Sequence, residues 1–282
     1  MLKQRVITAL VLLALLLPAL FAANPWPFMG LTVILIAAGA WEWGRLNGMP
    51  TWLAWSGAFI CLLACGAAAQ FGWVQRTPPM VWLMAGALWV LLGAWMIQRG
   101  VAGWALWPQG LRWAVGLLLL TLAWLAMAQA HQRGVNFLLS VLVLVWAADV
   151  FAYFFGRAFG GRWIKTKLAA SISPGKSWEG VLGGMLGVLL VAVIWAALDR
   201  RWSLPDLSLY SLLFAKGWFV ALPALLFMSA MSVVGDLVES LVKRSAGMKD
   251  SSGLLPGHGG VLDRVDALLP ALPLAMMLVF WI

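Results

Sequence analysis

Residues 136–155 read NFLLSVLVLVWAADVFAYFF, a stretch with a single charged side chain, Asp149. As an α-helix it would be about 30 Å long, which matches the hydrocarbon core of a bilayer. The whole chain has the same character, because 63% of its 282 residues are hydrophobic and only 10% are charged, against about 25% charged in soluble domains. The stretch predicts a membrane-spanning helix, and the composition predicts an all-α, polytopic transmembrane helical bundle.

Hydropathy predicts nine spans. Their approximate bounds are 6–23, 27–43, 52–70, 80–97, 113–130, 136–155, 179–197, 217–235 and 266–282. The first span is typical of either a cleavable signal peptide or an uncleaved helix. Pro25 and Pro27 would form a tight turn into the second span, which favours the uncleaved helix. We divide the chain into N-terminal transmembrane helices, 1–135, and a C-terminal region, 136–282, that holds most of the polar sequence.

The basic residues predict which end of the bundle faces the cytosol. With a cytosolic N-terminus, the opposite side holds only five of the 19 Lys and Arg residues, namely Arg76, Arg133, Arg200, Arg201 and Lys216. This is a clear positive-inside bias. Of the ten carboxylates, all but Asp199 and Asp206 lie on the same cytosolic side. Positive-inside sorting does not require acids to follow bases, so their congregation predicts a polar site there.

The net charge of +9 does not predict a nucleic-acid partner. The basic residues punctuate apolar runs instead of forming one stripe. That pattern is typical of topology control and of attraction to anionic membrane lipids and nucleotides.

The first polar segment runs from Asp149 to Glu179. A carboxylate costs about 3 kcal/mol at the centre of a spanning helix and less near its end, so Asp149 favours a functional role over that of a helix-end acid. Residues 170–177 fit a loose Walker-type string, but a P-loop follows a β-strand, and here a spanning helix precedes the string and Pro174 interrupts it. Lys176 remains a candidate phosphate ligand, with Ser173 or Ser177 capping span seven.

The second polar segment runs from Asp236 to Asp266. One stripe of a helix that continues out of span eight would contain Asp236, Glu239, Ser240, Lys243 and Arg244. Two acids followed by two bases favour either a cation and phosphate site or a solvated amphipathic helix with internal ion pairs. The stripe alone does not decide between them.

The glycine-rich stretch 249–260 favours the site. Glycines around His258 allow backbone N–H groups to converge on an anion, since side chains would block a close approach. If the following residues are helical, Asp263 and Asp266 share a face one turn apart. Paired carboxylates beside such a loop suit Mg²⁺ carrying a nucleoside triphosphate, because Mg²⁺ takes one or two protein carboxylates and completes its shell with phosphate oxygens and water.

Residues 240–266 are similar throughout to the signature of the phosphatidate cytidylyltransferases, also called CDP-diacylglycerol synthases. The stretches 235–240 and 173–180 and the number of spans also resemble that family, whereas the match over residues 1–135 is only general. The resemblance implies that CTP and phosphatidic acid react to give CDP-diacylglycerol and pyrophosphate, with Mg²⁺ and an optional second cation. It leaves the oligomeric state open, a homodimer included.

The resemblance also implies the candidate site residues. The candidate catalytic residues are Asp236, Lys243, Arg244, Lys249, Asp250, His258, Asp263, Arg264 and Asp266. The candidate CTP-binding residues are Ser173, Lys176, Gly257, Gly259 and Gly260. The candidate metal ligands are Asp149, Asp236, Glu239, Asp263 and Asp266. His258 is expected to bind a phosphate instead of acting as a base. The bases that would attract phosphatidic acid are Arg157, Arg162, Lys165 and Lys167.

Two other classes of function are compatible with the composition. One is a different lipid-phosphate enzyme, such as a CTP-dependent polyprenol kinase, against which the signature argues. The other is a transporter, but transporter sites typically lie at the bilayer midplane between repeated halves, whereas these charges cluster at one face. We expect a bacterial inner-membrane enzyme whose site faces the cytoplasm.

Overall fold

The computed structural model describes residues 2–281, and within them the chain folds into helices and no strand. The helices are α1 (Leu2–Leu20), α2 (Trp26–Leu46), α3 (Thr51–Gln70), α4 (Trp73–Arg76), α5 (Pro79–Ala105), α6 (Gln109–Arg133), α7 (Val135–Phe159), α8 (Trp178–Trp202), α9 (Leu209–Ala215), α10 (Trp218–Ser245), α11 (Leu262–Val265) and α12 (Leu268–Trp281). Over the described range, nine helical stretches are long and apolar enough to span a membrane, the last comprising α11 and α12. The predicted nine-span, all-α bundle is confirmed.

The observed helices extend beyond most of the predicted spans. Hydropathy falls where polar residues begin, but the backbone remains helical, so α7 continues to Phe159 and α10 to Ser245. The continuation of α10 confirms the helix predicted to leave span eight. The short helices α4 and α9 fall in connections that hydropathy leaves undefined. Ile282, the last residue of the predicted ninth span, lies outside the described residues.

Glycines let α7 and α8 pack closely. A Cβ atom added to Gly184 would lie 2.7 Å from the carbonyl oxygen of Ala148, and one added to Gly187 would lie 2.2 Å from the ring of Phe151. Small residues allow two membrane helices to approach at this distance. The contact fixes the face of α7 that carries Asp149 beside the N-terminal end of α8.

A second close contact joins α10 to the last span. A Cβ atom on Gly235 would lie 2.5 Å from the carbonyl oxygen of Asp266 and 2.8 Å from Pro270. Only a glycine permits this approach without displacing the backbone. Asp236, the next residue on α10, is thereby brought close to Asp266.

Helices from both sides of residue 135 form one packed body. Helix α5 packs against α10 and α12, α6 packs against α12, and α2 contacts α10 and α11. At the N-terminus, the Thr8 hydroxyl donates a hydrogen bond of 2.9 Å to the carbonyl oxygen of Pro256. The division at residues 135 and 136 stays a prediction, and these contacts show that both parts meet around the polar segments.

Candidate active site

A cavity of about 570 Å³ opens where the ends of α7, α8 and α10 meet. Its wall includes Asp149, Tyr153 and Arg157 from α7, Lys176 and Ser177 from the preceding loop and helix cap, and Val233 and Asp236 from α10. The volume lies within the usual range for small-molecule sites. The cavity therefore unites the first polar segment of the sequence with the start of the second.

Lys176 and Asp236 form an ion pair on this wall. The Lys176 Nζ lies 2.6 Å from Asp236 Oδ2, and the Ser240 hydroxyl donates to Asp236 Oδ1 at 3.2 Å. The Lys176 backbone N–H donates to the Ser173 carbonyl, so Ser173 holds the turn that carries the lysine. The pair brings together two predicted site residues that are far apart in the sequence.

Residues 160–177, which connect α7 to α8, consist of turns and bends with one isolated bridge, Ala169–Ser173. The Walker-type string therefore has no strand before it. Ser177 is the residue that caps α8, because its hydroxyl accepts a hydrogen bond from the Gly180 backbone N–H. These features set Lys176 just before a helix N-terminus, where anions are favoured.

Lys243 bridges two acids further along α10. Its Nζ lies 2.5 Å from Glu239 Oε2 and 2.6 Å from Asp263 Oδ1. Glu239 is only 3% exposed and borders an apolar void of about 20 Å³, which is too small for a ligand. Glu239 and Lys243 of the stripe predicted on α10 therefore face inward, and their ion pairs are partly buried, unlike those of a solvated amphipathic helix, whereas Arg244 is exposed.

Asp263 ties the glycine-rich loop together. Its Oδ2 accepts hydrogen bonds from the Ser251 backbone N–H, the Ser251 hydroxyl and the Gly260 backbone N–H, at 2.9, 2.9 and 2.8 Å. Both of its carboxylate oxygens are thus engaged, since Oδ1 binds Lys243. In this arrangement Asp263 anchors the loop to α10.

The loop itself depends on two glycines with positive φ. Gly257 has φ +74° and Gly259 has φ +82°, values that favour glycine. The His258 carbonyl between them accepts two hydrogen bonds from the Arg264 guanidinium, at 3.0 and 2.7 Å. The His258 Nδ1 is buried without a hydrogen-bond partner among the described residues. Arg264 therefore holds the turn, and Nε2 is the ring nitrogen of His258 that is not buried.

Three of the predicted metal ligands surround one region. Asp149, Asp236 and Asp266 are close enough for mutual electrostatic repulsion. Within residues 2–281 no group of three His, Cys, Asp or Glu side chains is arranged to hold a metal ion. The chemistry of the donors still fits Mg²⁺, which needs only one or two protein carboxylates when phosphate oxygens and water supply the rest.

Three predicted residues lie outside these contacts. Arg244, Lys249 and Asp250 are exposed and form no ion pair with the other described residues. Arg157 donates a hydrogen bond to the Tyr153 hydroxyl at 3.1 Å. The exposure of Arg244, Lys249 and Asp250 gives a charged ligand access to them from solution.

Sequence reasoning missed Glu42. This carboxylate near the end of α2 is 0% exposed and accepts hydrogen bonds from residues 251, 252, 261 and 262. The signal that singled out Asp149, an acid in an otherwise apolar span, applied to Glu42 as well. Its partners could not be predicted, because they lie 209 or more residues away.

Comparison with known proteins shows the family of this chain. The cytidylyltransferase family profile matches residues 3–282. The chain is 39% identical to the phosphatidate cytidylyltransferase of Pseudomonas aeruginosa over 280 residues, which are 97% of this chain and 95% of that protein. It is 36% identical to the phosphatidate cytidylyltransferase of Haemophilus influenzae over 305 aligned positions, 100% of both chains. The chain belongs to the cytidylyltransferase family.

Proposed function

We propose that this chain is a phosphatidate cytidylyltransferase, which transfers CMP from CTP to phosphatidic acid and releases pyrophosphate in phospholipid biosynthesis. The observation that carries the proposal is the similarity over nearly the full length to two proteins of that name. The residues that carry the resemblance, 240–266, form the loop and ion pairs described above. Ser240 among them hydrogen-bonds Asp236, which lines a cavity of sufficient volume for a nucleotide phosphate chain.

The reaction joins two anions. An oxygen of the lipid phosphate attacks the α-phosphorus of CTP, a new P–O bond forms, and the bond to the β-phosphate oxygen breaks, so that pyrophosphate leaves with the electron pair. The attacking phosphate is already ionised near neutral pH, so little general-base catalysis is needed. The protein must chiefly overcome repulsion between the substrates and stabilise charge on the leaving group.

The basic residues supply that stabilisation. Lys176 lies on the cavity wall, where it forms an ion pair with Asp236. It would bind a phosphate oxygen of the ligand after releasing Asp236. The exposed Arg244 and Lys249, together with Lys243 and Arg264, would provide further positive charge around the phosphates. The backbone of Gly257, Gly259 and Gly260 would add donors, and His258 would bind a phosphate through Nε2, because Nδ1 is buried.

Mg²⁺ would be held chiefly by Asp149 and Asp236, which line the cavity, and by Asp266 close to them. It would neutralise charge on the triphosphate. Lys243 forms ion pairs with Asp263 and Glu239. These two acids would become cation ligands only when Lys243 releases them and binds a phosphate. The exposed Asp250 would be a further ligand, and a second cation would bind nearby.

The connection between α7 and α8 would receive the lipid. Trp163 is 64% exposed and its ring stacks on Phe159, while Arg162, Lys165 and Lys167 beside it are also exposed. Exposed apolar and basic side chains together suit the surface of an anionic membrane. We place this end of the bundle at the cytoplasmic face of a bacterial inner membrane, with positive-inside sorting as support; a homodimer stays a prediction.

Formation of labelled CDP-lipid from CTP by the purified protein in phosphatidate-containing micelles, with and without Mg²⁺, tests the proposal. We expect Mg²⁺-dependent product that Asp236→Asn abolishes and that Asp199→Asn, at the other end of the bundle, leaves unchanged. Absence of product from folded wild-type protein across several phosphatidate species would overturn it. Polyprenyl phosphate formed from polyprenol and CTP, with release of CDP, would indicate the kinase instead.

A further inference from the structure

Glu42 makes its contacts with the glycine-rich loop and the helix that follows it. Its Oε1 accepts hydrogen bonds from the Ser252 hydroxyl and, at 2.9 Å, from the Val261 backbone N–H. Its Oε2 accepts from the Leu262 backbone N–H at 2.8 Å and lies 3.1 Å from the Ser251 hydroxyl, whose single proton is shared between Glu42 and Asp263. Each carboxylate oxygen is therefore fixed by one side chain and one backbone group.

Two of these donors belong to the start of α11. The first N–H groups of a helix lack partners within the helix and carry partial positive charge. A carboxylate from α2 thus caps the N-terminus of α11, a role that an adjacent Ser, Thr or Asp usually performs. A buried carboxylate within a span is costly unless hydrogen bonds compensate it, so Glu42 and the loop hold each other in place.

The same loop residues connect Glu42 to the ion-pair cluster. The Ser251 hydroxyl lies 3.1 Å from Glu42 Oε2 and 2.9 Å from Asp263 Oδ2, and Asp263 binds Lys243. Gly260 passes between the two acids, since a Cβ atom there would lie 2.0 Å from Ser251 Oγ and 2.4 Å from Glu42 Oε1. A continuous set of contacts therefore runs from α2 through the loop to α10.

We propose that Glu42 is a positioning residue for the cytidylyltransferase reaction, holding residues 251–262 in the conformation that receives the CTP phosphates. The inference rests on the proposed function, and it assigns a defined role to the N-terminal helices, where the resemblance is only general. Glu42 acts through the loop and does not itself contact substrate. Its loss should weaken the binding of CTP and leave the binding of phosphatidate, on the α7 side of the cavity, nearly unchanged.

Glu42→Gln tests this, because the amide keeps the shape but presents an N–H₂ group to backbone donors. We expect the Kd for CTP, measured by equilibrium binding with Mg²⁺ present, to rise about tenfold, and the KM for CTP to rise with it. The KM for phosphatidate should change by less than about twofold. Asp199→Asn is the matched control, since Asp199 is equally buried and bonded but lies at the opposite end of the bundle.

The result that would overturn the inference is a wild-type Kd for CTP in folded Glu42→Gln, or equal changes for both substrates matched by Asp199→Asn. If Glu42→Gln does not fold, Ser252→Ala decides, because it removes one donor from a half-buried position; we expect an increase of about threefold in the Kd for CTP. An unchanged value there would equally refute the role. Because binding is measured without turnover, wild-type protein that binds CTP but forms no product would refute only the proposed reaction, and wild-type protein that does not bind CTP would refute both.

Discussion

Two buried carboxylates at opposite ends of the bundle are held in nearly the same way. Glu42 is 0% exposed and Asp199 is 3% exposed. Asp199 accepts hydrogen bonds from the Asn136 amide, the Ser208 backbone N–H and the hydroxyls of Ser208 and Ser211. Each acid therefore has four donors and joins distant segments of the chain.

Their surroundings differ. The loop held by Glu42 continues to Asp263 and to Lys243 on α10, the helix whose Asp236 forms an ion pair on the cavity wall. The donors to Asp199 are all neutral and fix the short helix α9, and the hollow of about 350 Å³ beside them has Arg200 as its other charged residue. A buried acid whose hydrogen bonds are all formed therefore indicates only a point where distant segments are held together. A functional interpretation requires, in addition, charged groups that this region presents to a cavity.

We expect the largest difference in activity when one lysine is replaced at each end of the bundle. Replacing Lys176 by Ala removes a cation from the cavity wall, and we expect kcat/KM for CDP-lipid formation to fall by about 100-fold or more. Lys216→Ala, an exposed lysine after α9 at the other end, should stay within about twofold. Comparable losses in both variants would remove the distinction between the ends.

The next largest effect concerns the loop beside Glu42. In Gly260→Ala the new Cβ would collide with Ser251 and Glu42, so we expect at least a tenfold loss of activity and destabilisation of about 1–3 kcal/mol. Gly253→Ala is the matched control, because a Cβ atom there meets no atom within 4 Å and the residue has no positive φ. Activity measurements and thermal unfolding of both variants check this, and an active, stable Gly260→Ala would show that the loop tolerates displacement.

A smaller effect is expected at the membrane-facing connection. Lys165→Ala should raise the KM for phosphatidate about fivefold at low salt, since one basic residue near an anionic surface contributes about 1 kcal/mol. The effect should shrink as salt screens the charge. Arg201→Ala supplies the comparison from the opposite end, next to Trp202, which is 63% exposed as Trp163 is 64% exposed. A salt-independent change, or the same change in Arg201→Ala, would refute lipid capture by this segment.

These comparisons also show what the sequence could predict. The nine spans follow from runs of apolar residues, and the extension of α10 follows from the spacing of Asp236, Glu239 and Lys243. Local patterns do not specify pairs that only packing creates, such as Lys176 with Asp236 or Glu42 with Ser251. The hydrogen bonds between Asp263 and the loop could not be predicted either, because their donors include backbone N–H groups, which no side-chain pattern encodes.

The smallest effect we predict concerns Glu179, the buried acid in the first turn of α8. Its Oε1 accepts hydrogen bonds from the backbone N–H groups of Trp163 and Ile164 at 3.0 and 2.9 Å, which fixes the connection that presents their side chains. Glu179→Gln retains an amide oxygen that can accept the same two bonds, so we expect the KM for phosphatidate to rise only about twofold. Glu179→Ala removes the acceptor and should give a larger increase, while the KM for CTP stays constant. If instead both variants change the KM for CTP, Glu179 supports the neighbouring Lys176 more than the lipid-facing connection. The lipid and nucleotide sides of the site would then not be separable, and this end of the bundle would act as one cooperative unit.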